Sequence, residues 1–244
     1  MSSIDEGEVS KFAAMAADWW DPNGKARPLH QMNPCRLDYI AGQIAVEFAR
    51  DRSQPKPFEG LTLADIGCGG GLLCEPMARL GADVTGADAA LEGIQVARLH
   101  AEQMELEITY RHATAEALVE EGAQFDVVLA MEIIEHVAEP AAFVRTLSDL
   151  VKPGGLLIMS TLNRTPQSYA MAIVGAEYIL RWLPVGTHEW QRFVTPDELG
   201  EMIDDAGLKE LDRRGMVFNP LTRRWKLSDD LAVNYALTAR KAHG

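Results

Sequence analysis

The sequence predicts an α/β fold in which a mostly parallel sheet carries helices on both faces. From residue 61 onward, short apolar stretches typical of buried strands alternate with longer stretches typical of helices. Such alternation is the pattern of consecutive βαβ units. Residues 63–71, LADIGCGGG, then pass from an apolar run into glycines directly before a predicted helix. A strand, a tight turn and a helix in that order are typical of a site for a nucleoside cofactor.

Residues 1–58 are predicted to form an N-terminal helical cap, in two stretches separated by the turn sequence DPNG at 21–24. Pro55 and Pro57 mark the start of the sheet domain, predicted as residues 59–244. The strand-like and helix-like stretches that follow alternate at 61–66, 72–80, 83–86, 91–103, 108–111, 125–131, 141–150 and 156–160. The cap and the sheet are expected to form effectively one domain.

The alternation pauses after the fifth predicted strand, where an apolar insert spans about 161–194. A helix is predicted at 195–206 because it opens with Thr-Pro-Asp-Glu, a start signal for helices. Two strand-like stretches near 208–217 and 232–239 are expected to form a closing antiparallel pair. The total is seven predicted strands.

Composition excludes several classes of function. The 244 residues carry a formal net charge of -13, which argues against nonspecific binding to nucleic acid. The cysteines Cys35, Cys68 and Cys74 cannot all pair with one another and have no metal-type spacing, so a reducing cytoplasm is the expected setting. No secretory signal and no run of about 18 apolar residues is visible. The sequence therefore predicts a soluble, cytoplasmic chain.

The glycine spacing separates two classes of cofactor. Dinucleotide enzymes need glycine at the first, third and sixth positions, but counting from Gly67 the sixth position is Leu72. Asp65 would repel a pyrophosphate and would suit a ligand that carries an ammonium or sulfonium group. Asp88 follows the next strand, where an acid binds ribose hydroxyls. A sulfonium cofactor is favoured, with a nicotinamide enzyme as the alternative.

A second polar group follows the fourth predicted strand, in the sequence MEIIEHV at 131–137. If this segment is a helical turn, Glu132, Glu135 and His136 share one face, as i, i+3 and i+4. Two carboxylates and an imidazole would make a divalent-metal site or a general base. Either would raise the nucleophilicity of a phenolic oxygen, so an oxygen acceptor is favoured. The alternative is a polar helix start whose charges lie in solvent.

The glycine motif resembles the first motif of class I S-adenosylmethionine-dependent methyltransferases. The segments KF at 11–12, WWD at 19–21, PLH at 28–30 and NPCRL at 33–37 then resemble the N-terminal signature of the ubiquinone-biosynthesis O-methyltransferases. So do residues 131–136, STLNR at 160–164, VGAEYIL at 174–180 and GTH at 186–188. The similarity runs over about residues 8–240.

That resemblance implies a Rossmann-like fold with seven strands, the last antiparallel. It implies methyl transfer to a catechol-type hydroxyl of polyprenylated ubiquinone precursors, a polyprenyl-hydroxyphenol and demethylubiquinol. The residues implied in S-adenosylmethionine binding are Arg36, Gly67, Gly69, Asp88 and Met131. Glu132, Glu135 and His136 are implied as ligands of Mg²⁺, and Glu135 and His136 also as catalytic residues.

Two further features bear on ligands and partners. Arg36 follows an Asn-Pro turn and would pair with the methionyl carboxylate of the cofactor, the alternative being a solvated surface arginine. Residues 168–185 are apolar and aromatic with arginine at both borders, which suits transient contact with the inner face of a membrane. The alternative is that they cap the active site or pack a dimer.

Two other functions stay open at this point. One is a methyltransferase with a different hydroxylated aromatic acceptor. The other is a cofactor-binding protein without turnover that gathers other ubiquinone-synthesis enzymes.

Overall fold

In the computed structural model an eight-stranded sheet lies between two layers of helices. The structure describes residues 19–24, 26–170, 189–219, 221–222 and 224–243. The predicted first helical stretch and most of the segment 168–185 lie outside these residues.

Most elements agree with the predicted alternation, but the fifth strand starts five residues before the predicted strand, and one helix (Ala115–Glu120) and one strand (Arg224–Ser228) were not predicted. The helices are α1 (Arg27–Glu47), α2 (Cys74–Arg79), α3 (Leu91–Gln103), α4 (Ala115–Glu120), α5 (Pro140–Leu150) and α6 (Pro196–Asp205). The strands are β1 (Thr62–Ile66), β2 (Asp83–Asp88), β3 (Thr109–His112), β4 (Phe125–Met131), β5 (Val151–Leu162), β6 (Leu208–Asn219), β7 (Arg224–Ser228) and β8 (Asn234–Lys241). Short helical turns lie at Ile134–His136, Pro166–Ser168 and Trp190–Arg192.

The strand order is β3-β2-β1-β4-β5-β8-β6-β7. The strands β1 to β5 pair in parallel, and β8 pairs antiparallel with both β5 and β6. The predicted closing antiparallel pair is thus confirmed. The chain order reverses between β1 and β4, and a crevice at such a reversal, outside the carboxyl ends of the strands, is where open α/β sheets bind ligands.

The prediction of seven strands is wrong by one. The additional strand, β7, forms an antiparallel hairpin with β6 at the edge of the sheet. Its five residues, RWKLS, are exposed or half-buried, so they lack the apolar run that marks the buried strands. This segment forms a strand because it pairs with β6, and its own sequence has no hydrophobic pattern that would predict one.

Each face of the sheet is covered by its own apolar core. Side chains of α1, α2 and α3 pack on one face, with Tyr39, Ile40, Met77 and Ile94 among the most buried. Side chains of α4, α5 and α6 pack on the other face. Helices on both faces are therefore confirmed.

Helix α1 is tied to the last strands of the sheet. The hydroxyl of Thr238 donates to the Tyr39 hydroxyl at 2.9 Å, and Gln43 Nε2 donates to Asp212 Oδ2 at 3.1 Å. Arg240 pairs with Glu47 at 3.0 Å. Because α1 shares these bonds and one core with the sheet, it is part of the same packed unit.

The described borders of the insert are well anchored. Thr195 and Glu198 form a reciprocal capping box at the start of α6, which confirms the start signal in the sequence. The indole of Trp190 donates to the carbonyl of Thr165 at 3.0 Å. Over the residues that the structure covers, no helix is long and apolar enough to cross a membrane.

Candidate functional site

The glycine loop begins where β1 ends. The amide of Gly67 donates to the carbonyl of Ala87 at 2.8 Å. The φ of Gly67 is +77°, a conformation that residues other than glycine rarely adopt. A Cβ at this position would lie 2.2 Å from Cδ1 of Ile133. The loop is thus packed against the segment that follows β4. Both the positive φ and this close contact favour glycine at position 67.

Asp88 at the end of β2 fixes the second half of the loop. Its carboxylate accepts hydrogen bonds from the Gly69 amide at 2.8 Å and the Ala90 amide at 2.7 Å. Burial raises the pKa of Asp88 above its ordinary value, and these two amides oppose that rise. Each carboxylate oxygen keeps a lone pair free, so the group retains capacity to accept from a ligand hydroxyl.

Asp65 lies on β1 beneath the loop and is only 2 % exposed. Burial raises the pKa of its carboxyl to about 7, against the opposing effect of the Cys74 thiol, which donates to Oδ2 at 3.3 Å. The neighbouring Asp88 raises it further, and Arg36 lowers it. A buried carboxyl here carries a cost that is offset only if a cation faces it.

Arg36 reaches this region from α1 and is 4 % exposed. Burial lowers its pKa, whereas the carboxylates of Glu132, Asp65 and Glu135 oppose that effect. Its Nε and Nη2 atoms are buried and have no hydrogen-bond partner among the described residues. Buried guanidinium donors without acceptors are costly, so this group is poised for a planar anion such as a carboxylate.

Glu132 and Glu135 are held by consecutive residues of β5. The Ser160 hydroxyl donates to Glu132 Oε1 at 2.7 Å, and the Thr161 hydroxyl donates to Glu135 Oε2 at 2.7 Å. Since neighbouring residues of a strand point to opposite faces, the two carboxylates are drawn to opposite sides of the sheet end. Burial and the charge of Glu132 raise the pKa of Glu135, which is 3 % exposed.

The segment after β4 is not the single helical face that the spacing suggests. Glu132 lies outside the helical turn Ile134–His136 and has a φ of +54°. No three His, Cys, Asp or Glu side chains form a metal-binding group within the described part of the chain. The described positions of Glu132, Glu135 and His136 therefore give no support to a Mg²⁺ site.

A strap formed by Trp19 and Trp20 lies over the glycine loop. The Trp20 indole donates to the carbonyl of Gly70 at 2.7 Å and stacks on His100 with ring centroids 3.5 Å apart. His100 in turn lies 2.5 Å from Glu75. A Cβ at Gly69 or Gly70 would come within 2.8 Å of Trp19, so the glycines also admit the strap.

Trp19 and Trp20 are not among the predicted site residues, because paired tryptophans are more often core anchors. The hydroxyls of Ser160 and Thr161 were missed as well. Two signals pointed to them, their position at the end of a predicted strand and the family-like segment STLNR at 160–164, but neither linked them to the glutamates, which are distant in the chain.

The other predicted residues meet at one edge of the sheet. Met131 ends β4, is 7 % exposed and joins the core cluster that contains residues of α1. Arg36, Gly67, Gly69, Asp88 and Glu132 surround the ends of β1, β2 and β4. His136 is half-buried at the last position of the helical turn after β4.

Comparison with known proteins places this site in a family. The model of the family described as "Methyltransferase domain" matches residues 39–212. The chain is 66% identical over 235 residues to a ubiquinone biosynthesis O-methyltransferase of Cereibacter sphaeroides, covering 96% of this chain and 95% of the relative. The identity is 64% with the protein of that name from Dinoroseobacter shibae, covering 96% and 94%.

Solved structures show the same fold. Magnesium protoporphyrin IX methyltransferase from Synechocystis, with bound S-adenosylhomocysteine, superposes with a TM-score of 0.69 at 19% identity, covering 98% of this chain and 100% of that one. A methyltransferase from Thermotoga maritima gives 0.61 at 15%, covering 96% and 99%.

The fold is therefore that of methyltransferases solved with S-adenosylhomocysteine or S-adenosylmethionine bound. Since identities of 61–66% extend over nearly the whole length of both chains, this chain belongs to the ubiquinone biosynthesis O-methyltransferases.

Proposed function

We propose that this enzyme transfers the methyl group of S-adenosylmethionine to a catechol-type hydroxyl of polyprenylated ubiquinone precursors, a polyprenyl-hydroxyphenol and demethylubiquinol. The name shared by its relatives supports the acceptor. In the reaction the bond from sulfur to the methyl carbon breaks as a bond from the acceptor oxygen forms. The sulfonium becomes a neutral thioether, and the phenolic proton leaves to a base.

The observation that carries the proposal is the guanidinium of Arg36, whose buried Nε and Nη2 have no hydrogen-bond partner among the described residues. A methionyl carboxylate would satisfy Nε and Nη2 together, and the amino group of the same ligand would then face the carboxylates of Asp65 and Glu132. Asp88 would accept from the ribose hydroxyls with its remaining lone pairs. Gly67, Gly69 and Met131 would border the cofactor at the same strand ends.

His136 is the stronger candidate for the base that takes the phenolic proton. It is half-buried and close to the strand ends, and histidine is the side chain most often used as a general base. Glu135 is almost fully buried, engaged by Thr161, and has a raised pKa. We therefore assign Glu135 to holding the turn that carries His136, with proton transfer as its alternative role.

The magnesium hypothesis rests on the sequence pattern of Glu132, Glu135 and His136. A metal bound there would lower the pKa of a coordinated phenol. The positions of these residues give it no support, because their carboxylates are held apart by Ser160 and Thr161. Chelation decides the matter, since an enzyme that uses Mg²⁺ loses its rate in EDTA and regains it with added Mg²⁺.

A polyprenyl tail resides in a bilayer, so the enzyme would work from the cytoplasm as a peripheral protein at the inner face of the membrane. Residues 168–185, most of which lie outside the described residues, carry the sequence signal for that contact. Deletion of residues 166–184 should abolish co-sedimentation with liposomes while S-adenosylmethionine binding persists. Contact with other ubiquinone-synthesis enzymes belongs to the same proposal and is tested by co-purification.

The test of the proposed function is a methyl-transfer assay with labelled S-adenosylmethionine and a short-tailed demethylubiquinol. We expect labelled ubiquinol as the product, with and without Mg²⁺ measured in parallel. A simple catechol without a tail serves as the competing acceptor. A higher kcat/KM for the simple catechol would refute the polyprenylated acceptor, and no turnover on either would refute O-methylation of phenols.

A further inference from the structure

Helix α1 carries buried hydrogen-bonding groups of opposite kinds side by side. Arg36 has the donors Nε and Nη2, and Asn33 has the acceptor Oδ1, all buried and without a hydrogen-bond partner among the described residues. The two residues stand at i and i+3, so their side chains share one face of the helix, with Cβ atoms about 5–6 Å apart. One helix face therefore presents unused donors beside an unused acceptor.

The orientation of the Asn33 side-chain amide is fixed by its nitrogen. Nδ2 donates to the carbonyl of Leu72 at 2.9 Å, and a carbonyl oxygen can accept only from the nitrogen end of an amide. The end that remains is therefore Oδ1. Leu72 directly follows the glycine loop, so Asn33 is attached to the loop that borders the predicted cofactor site.

This combination of groups matches an α-amino acid. Such a ligand carries a carboxylate, which accepts hydrogen bonds, and an ammonium group, which donates three, on the same carbon atom. The proposed function places the carboxylate on Arg36 and turns the ammonium group towards Asp65 and Glu132. Two carboxylates leave one of the three N–H groups for a further acceptor, and Asn33 Oδ1 is a neutral oxygen next to Arg36 on the helix face.

We propose that Asn33 binds the α-ammonium group of S-adenosylmethionine through Oδ1 and so selects ligands that carry an intact amino-acid group. A ligand without the amino group would leave Oδ1 buried and unpaired, which lowers its affinity. The inference rests on the proposed function, from which it takes the cofactor. It adds a specificity-determining residue that is not among the predicted site residues.

Calorimetric titration with two ligands tests the role of Asn33. One is S-adenosylhomocysteine, and the other is its deamino analogue, which keeps the carboxylate and has hydrogen in place of the amino group. Asn33→Leu removes Oδ1 and has a side chain of similar size. It should reduce the preference for S-adenosylhomocysteine over the analogue roughly tenfold, the usual effect of one hydrogen bond to a charged group.

Arg36→Met gives the opposite pattern. Both ligands carry the carboxylate, so this variant should weaken both and keep the wild-type preference between them. Gln31→Leu is the matched control, because it removes another amide of α1 that lies on a different face of the helix from Asn33. It should bind both ligands as the wild type does.

A second substitution separates ligand binding from the bond to Leu72. Asn33→Asp loses the donor to Leu72 but keeps an acceptor, so it should retain the preference for S-adenosylhomocysteine. If Asn33 only held Leu72 in place, both substitutions would weaken the two ligands equally. Asn33→Ala removes the same oxygen and should repeat the result of Asn33→Leu, so the test does not depend on how leucine packs.

The outcomes that overturn the inference are distinct from those that refute the proposed function. An unchanged preference in Asn33→Leu would overturn the role of Asn33. A matching loss of affinity for methylthioadenosine, which has the ribose but no amino-acid group, would do the same by assigning Oδ1 to the ribose. A wild type that binds S-adenosylhomocysteine but methylates no phenol would refute the proposed function alone, and one that does not bind it would refute both.

Discussion

At the scale of single residues, the site contains ionisable side chains whose charged forms are disfavoured by burial. Asp65 and Arg36 are both almost fully buried. Burial raises the pKa of Asp65 and lowers that of Arg36, so it favours the neutral form of each side chain. Their mutual attraction offsets part of that cost, yet two guanidinium nitrogens have no acceptor in the part of the chain that the structure describes. Such a site is less stable than an apolar one of the same shape, and a ligand that satisfies it stabilises the fold.

Replacing Arg36 by Met should separate binding from stability. We expect S-adenosylmethionine affinity to fall roughly 10- to 100-fold, the usual value of hydrogen bonds to a charged group, while Tm stays level or rises. Calorimetric titration and thermal unfolding measure the two quantities. Arg145→Met on the exposed face of α5 is the control and should change neither. A fall in Tm with unchanged affinity would mean that Arg36 has a structural role only.

Asp65→Asn should change how stability depends on pH. A carboxyl whose pKa is raised from 3.8 to about 7 in the folded state stabilises the protein below pH 4, and that stabilisation is lost as pH rises to 7. The Asn variant has no such loss, so it should be more stable than wild type at pH 8, by a few kcal/mol at most. Urea unfolding from pH 4 to 8 measures the difference, and parallel profiles would contradict it.

That the glycine loop and Asp88 lie together could be predicted from residue type and spacing, whereas the role of Arg36 was implied by the family resemblance and stays a prediction. The separation of Glu132 from Glu135 could not, since it depends on which residues of β5 stand beside them. Sheet register is a long-range property, and the spacing i, i+3, i+4 holds only if the backbone is helical. The backbone at Glu132 is not helical, because its φ is positive.

At the scale of elements, the glycine loop and the segment after β4 act as one unit. Gly67 admits the side chain of Ile133, and Gly69 is held by Asp88. The loop thus derives its shape from β2 and β4 as well as from its own glycines. A change in any of the three alters the surface offered to the cofactor.

Gly67→Ala should therefore destabilise the protein for two separable reasons, the left-handed backbone and the contact with Ile133. Adding Ile133→Ala removes the contact and leaves the backbone strain, which costs about 1–3 kcal/mol. The free energy of unfolding of the two single variants and the double variant forms a cycle. Partial recovery in the double variant is expected, and strictly additive losses would show that the contact is unimportant.

The elements that could be predicted are those with a buried apolar pattern. Strand β4 and helix α3 begin and end where their sequences predict. Helix α4 and strand β7 were missed, because the first is only six residues long and the second is an exposed edge. Both depend on neighbours that the local sequence does not specify.

At the scale of the whole molecule, α1 packs against strands from the C-terminal part of the chain. Its buried side chains Tyr39, Ile40 and Ile44 belong to the core that also holds Met216 of β6 and Ala236 of β8. Residue 58 is thus a boundary only in the sequence, because the hydrophobic core contains side chains from both sides of it.

A fragment of residues 59–244 should consequently fail to form a packed domain. We expect native-like far-ultraviolet circular dichroism with weak near-ultraviolet signal, because the sheet face beneath α1 would be exposed. Adding a peptide of residues 19–58 should restore the near-ultraviolet signal. Cooperative unfolding of the fragment alone, with a wild-type Tm, would show that α1 is dispensable.

The bond between Tyr39 and Thr238 joins residues 199 positions apart, and this has a consequence for synthesis. At roughly 5 to 20 residues per second, a ribosome needs about 10 to 40 s to make the chain between them. Throughout that interval Ile40 and Ile44 lack the strands that cover them. The nascent protein should therefore depend on chaperones until its final strand emerges, and premature termination near the C-terminus should yield aggregates rather than a shortened enzyme.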